Sequence, residues 1–169
     1  MNVLFKGLAM NWRQWGGALA ILAICGVLVM SPGFAQDEEA GDPALEAIGG
    51  LAVGHMHSSL GFVGVTADAF AKDVYEADTV EELMGGVVGG IDATKKLLRK
   101  LQDSELSDED EQFIDGIIGV YNAISAEAKA LVKFAKSEDD TDAKAFEKAR
   151  QTAVSRLQKL IGNEEEETK

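Results

Sequence analysis

The sequence predicts an all-α protein: an up-down antiparallel four-helix bundle preceded by an N-terminal signal peptide. Three observations carry that prediction. Four segments space their apolar residues at helical steps of three and four. No segment shows the period-two alternation or the Asn-Gly turns of a sheet. An apolar, positively flanked leader stands ahead of the first segment.

The leader covers residues 1–35. Lys6 and Arg13 give it a positive start, and Ala18 to Met30 is uncharged and apolar. Ser31-Pro32 then breaks any helix, and Gly33-Phe34-Ala35 puts small residues where a signal peptidase reads. So short an apolar core fits a cleaved secretory signal better than a membrane span, which needs about 20 residues. The alternative is an uncleaved anchor, since Trp15 to Ala35 is also free of charge. In either case the positive flank stays inside and Asp37-Glu38-Glu39 goes out, so the location expected is periplasmic or extracellular. Cys25 does not complete a lipobox, because Ile24 stands where that processing requires a small side chain. Loss of the leader removes the one cysteine, and with it disulfides, thiolate ligands and a cysteine nucleophile.

Residues 36–41 read as an acidic linker, 42–162 as the bundle and 163–169 as a solvated acidic tail. Helix one opens on Asp42-Pro43, a cap followed by proline in the first turn. Its stripe is Val53, Met56, Leu60, Val63, Ala67, Phe70 and Val74. Helix two starts at Thr79, with Glu82 completing a capping box. Val80, Met84, Val87, Ile91, Thr94, Leu98 and Leu101 follow, and a basic C-terminal end suits the helix dipole. Helix three caps on Ser107 and runs through Ile114, Ile117, Tyr121, Ile124, Ala128, Leu131 and Ala135. Helix four starts within 137–141, carries Phe146, Ala149, Ala153, Leu157 and Leu160, and stops at Gly162.

Charge narrows the function. The chain has 16 basic and 29 acidic residues, net −13. Both leader charges are basic, so the exported part is two units more negative, at −15. Such a surface repels nucleic acid and anionic lipid. Membrane contact is expected only through an uncleaved leader.

Glycine is the anomaly. Eleven fall inside the expected helices: Gly49, Gly50, Gly54, Gly61, Gly64, Gly85, Gly86, Gly89, Gly90, Gly116 and Gly119. At about 1 kcal/mol each they forgo on the order of 10 kcal/mol of helix propensity. Gly50, Gly54, His57, Gly61, Gly64 and Asp68 follow helical spacing beside the first apolar stripe. Gly86, Gly90 and Ala93, and Gly116, Gly119, Ala123, Ala126 and Ala130, do the same on helices two and three. The expectation is close backbone packing between helices. A slot for a flat ligand and a kink near Gly61 and Gly64 are the alternatives. No formal charge stands between Glu46 and Asp68, which makes helix one the expected centre of the bundle.

Candidate chemistry gathers at His55-Met56-His57, which holds both histidines of the chain. Residues two apart lie about 200° apart round a helix, so His55 and His57 cannot jointly chelate one ion. His57 belongs to the glycine stripe, where Gly54 and Gly61 leave clearance and Met56 or Met84 offers a soft second ligand. Haem or a transition metal is the cofactor such a face would take; a histidine hydrogen-bonded between helices is the plainer reading. There is no Cys-x-x-Cys-His and no Glu-x-x-His. The acidic run after Ser107 is no EF-hand, because counting from Asp108 the sixth position, which needs glycine, is Phe113. No catalytic set stands out. The pattern is similar to small exported helical bundles of bacteria, without a motif that names a family. The expected role is non-enzymatic: self-association or binding of an envelope protein.

Overall fold

The computed structural model describes residues 43–162. The leader, the linker, the Asp42 cap and the acidic tail lie outside the described residues. Within them the chain forms four α-helices and no strand: α1 (Pro43–Ala71), α2 (Ala77–Gln102), α3 (Asp108–Ser137) and α4 (Asp140–Leu160).

Local chemistry sets most of the ends. Ser107 caps α3, its Oγ accepting from the Asp110 N–H at 3.1 Å. The four acidic residues of that first turn face the positive end of the helix dipole. Asp139 caps α4 by accepting from the Thr141 N–H. Between α3 and α4 the chain reverses through Glu138, held left-handed at φ 50°, with its N–H on the Phe134 carbonyl at 2.8 Å. A non-glycine residue there costs about 1–2 kcal/mol. The turn is pinned from both sides: Asp142 accepts from the Ser137 hydroxyl at 2.8 Å and pairs with Lys133 at 2.7 Å. Helix α2 departs from expectation. It starts at Ala77, and Glu76 stands at the cap without a side-chain hydrogen bond, so the capping box at Thr79 is not used.

Helix α3 is the centre. It packs against all three other helices, while α2 and α4 do not touch. Each member of its expected stripe is buried. The core forms two clusters along the helices. Met56, Ile91, Ile117, Tyr121, Ile124 and Leu157 belong to one. Val63, Val80, Met84, Ala128, Leu131 and Phe146 belong to the other.

One expectation for α1 fails: α3, not α1, is the central helix. The alternative of a break at Gly61 or Gly64 is not seen either, since α1 runs unbroken through both. Its buried side is turned slightly from the expected stripe, with Leu45, Ala52, Ser59 and Thr66 joining Met56 and Val63, while Val74 lies exposed beyond the helix end.

The account of the glycines is corrected as well. Side chains built on Gly50, Gly54, Gly61, Gly85, Gly86, Gly89, Gly90 and Gly119 would meet nothing within 4 Å. Close approach is real at two positions. A methyl on Gly49 would stand 2.7 Å from Phe113 Cζ, and one on Gly116 would stand 3.0 Å from Leu160 Cδ1. Most of the small-residue faces therefore look outward on intact helices rather than into neighbouring backbones.

Candidate functional site

α1 presents three different surfaces because its apolar residues are spread around the whole helix. The inner one holds Met56 and Val63, both fully buried. The outer one is uncharged yet exposed: Leu51 is 75% exposed, Val65 65% and Phe62 43%, with open space beside Gly50, Gly54 and Gly61. A large apolar residue alone on a surface is ordinary, but several along one charge-free helix form a patch of the kind that marks association sites.

On one flank of α1, His55 meets α3. Its Nδ1 lies 2.9 Å from the Tyr121 hydroxyl, and the rings are tilted at 50° with centroids 5.5 Å apart. The Tyr121 O–H points to the Ala52 carbonyl at 3.4 Å, so the consistent assignment has His55 Nδ1–H donating to the tyrosine oxygen. Burial pushes the Tyr121 phenol up to about 12, and it stays protonated as a hydrogen-bonded core residue.

His57 occupies the glycine-bearing side and is half-buried. The expected ligand partners disperse: Met56 lies in the first core cluster and Met84 in the second. Gly54 and Gly61 keep open space. Among the described residues no group of three or more His, Cys, Asp or Glu side chains is placed to hold a metal ion.

The residue that sequence reading missed is Glu127. It is 0% exposed, in the C-terminal half of α3, and neither carboxylate oxygen has a hydrogen-bond partner. Burial drives its carboxyl up to about 7 from an ordinary 4.5; Arg150 opposes that rise and Glu147 adds to it. Arg150 in turn lies over α1, its Nη2 3.7 Å from where a methyl on Gly64 would stand. A signal was present in the sequence: Glu127 shares helical register with Val120, Ala123, Ala130 and Phe134.

A groove of about 250 Å3 runs between α2 and α3, with Met84, Val88, Ala128 and Val132 along it and Glu81 and Lys129 at its sides. Among the described residues no helix is long and apolar enough to cross a membrane.

Compared with known protein families, curated proteins and solved structures, the chain matches none. Its function must be read from its own surfaces.

Proposed function

We propose that this is an exported, non-enzymatic association protein of the cell envelope, periplasmic or extracellular, which uses the outer face of α1 to meet a second copy of itself or an envelope protein. One observation carries the reading: α1 is charge-free between Glu46 and Asp68 and leaves Leu51, Phe62 and Val65 uncovered. A strongly acidic molecule repels acidic partners everywhere except where it carries no charge. The glycines on that face admit a partner close to the helix backbone.

The leader 1–35 would deliver the chain, and the helices would run up and down as antiparallel neighbours. Contacts between helix ends support that course: Gln102 with Asp115 at one end of the α2–α3 pair, and Glu81 with Lys136 at the other.

The test is photo-crosslinking in the host cell from a reactive side chain at position 51 or 65, with exposed Lys144 on α4 as control position. Adducts from α1 alone, of one copy or of a defined partner, are expected, and Val65→Glu should abolish them. Equal yield from position 144, or none from α1 with a monomer by light scattering, overturns the reading.

A second reading keeps one observation in its favour. Open space beside Gly54 and Gly61 leaves room near half-buried His57 for a haem or a transition metal. Protein purified from its host would then be coloured or metal-loaded, and His57→Ala would lose that signal. A colourless, metal-free preparation removes it.

A further inference from the structure

We propose that Glu127 and Arg150 form a proton-operated latch where α1, α3 and α4 meet. With the proton on Glu127, the Arg150 guanidinium rests against α1 at Gly64. When the proton leaves for solvent, the guanidinium turns inward to the carboxylate, and α1 loses that contact.

The geometry supplies each part. Along α3, Glu127 stands between Ile124 of one core cluster and Ala128 of the other. Its carboxyl is fully buried with both oxygens unpartnered. A buried carboxylate in that state is expensive, so it either keeps its proton or acquires a cation. The available cation is Arg150 on α4, which makes no ion pair among the described residues. Its guanidinium lies beside Gly64, 3.7 Å from where a methyl would stand, an ordinary contact distance that does not hold it in place.

Among the described residues no other group competes. From α4, Glu147 acts on the carboxyl and disfavours its ionisation. From α1, the titratable side chains nearest in sequence to Gly64 are His57 and Asp68, with no formal charge between them. From α2, Glu81 is paired with Lys136 and Asp92 with Lys95. On α3 itself, Lys133 is paired with Asp142, and Lys129 acts on Asp92. Burial raises the carboxyl to about 7, which places the exchange of states near neutrality. Contacts between α1 and α4 are the sparsest of any touching pair of helices, so losing one there matters to the seating of α1.

The test is a carbon-13 NMR titration of the Glu127 carboxyl, assigned through its own amide, on protein purified from its host. The Arg150 Nε–H signal is followed together with hydrogen exchange of 60–68, corrected for the intrinsic effect of pH. The carboxyl should release its proton at more than tenfold lower proton concentration than exposed glutamates do. The Arg150 signal should shift, and exchange in 60–68 should rise, through the same midpoint. Arg150→Met should move the carboxyl midpoint a further tenfold or so to the alkaline side, and Arg150→Lys should restore part of it. Glu127→Gln should abolish both coupled changes. A midpoint in the range of exposed glutamates, an Arg150 signal that does not follow it, flat exchange in 60–68, or a midpoint indifferent to Arg150→Met each overturns the latch.

Discussion

Helices α1 and α3 are nearly equal in length, 29 and 30 residues, and have opposite fates. α1 is uncharged through its middle, whereas α3 opens on four acidic residues and carries Lys129, Lys133 and Lys136 toward its C-terminal end. By mean hydropathy α1 belongs inside. Yet α3 touches every other helix, and α1 keeps Leu51 and Val65 in the open. The reason is asymmetry. α3 concentrates its large side chains on one side and gives the other to charges, so several neighbours can share one well-defined stripe. α1 spreads apolar residues around its circumference, and the other described helices cover only part of it. An all-round apolar helix is ordinarily enclosed; the proposed partner would supply the cover that the other described helices leave out.

The largest expected effect separates the two helices directly. Ile124→Ala in α3 should cost about 2–5 kcal/mol, because Ile124 is fully buried. Leu51→Ala on α1 should shift folding stability by less than about 0.5 kcal/mol. Urea denaturation of both variants measures the difference, and equal losses would mean that the outer face of α1 is covered within the chain.

Next comes the one place where α3 breaks its own pattern. The Glu127 carboxyl is raised from 4.5 to about 7 by burial. Its stabilising influence is therefore fully present below about pH 4.5 and is lost as pH rises through about 7. Glu127→Gln should leave stability nearly unchanged at pH 4 and raise it at pH 8 by on the order of 1–3 kcal/mol relative to the parent. Thermal unfolding across that range is the check. A parent protein that gains stability between pH 5 and 7 through this residue would contradict the buried, unpartnered carboxyl.

The smallest effect sharpens the view of the glycines. Gly86→Ala and Gly90→Ala on α2 meet open space, so each should add about 0.5–1 kcal/mol through helix propensity. Gly116→Ala should gain less, or lose, because its methyl would press on Leu160 at 3.0 Å. Melting temperatures of the three variants rank them. A loss at Gly86 or Gly90 in the isolated protein would point to a contact on that face.

Much was legible before any coordinates. The α3 stripe from Ile114 to Ala135, the Ser107 cap and the stop at Gly162 follow from spacing and from short-range hydrogen bonding. Other features were read wrongly for one shared reason. Helical spacing orders residues round an axis but does not say where neighbouring axes lie. It could align Gly54 with Gly61, yet not show that nothing stands opposite them. Likewise it could place Glu127 in register with Phe134, yet not show that packing would bury it with no partner for its carboxylate.

By itself, then, the amino-acid order determined four helices, most of their limits and the sides that attract or repel water, because those depend on contacts within a few residues. Which helix became the hub, which glycines were left uncovered, and that a carboxyl on α3 would be stranded beside Arg150 were decided only when the helices packed. Exposure is a property of what lies across the gap, and residues distant in sequence supply it.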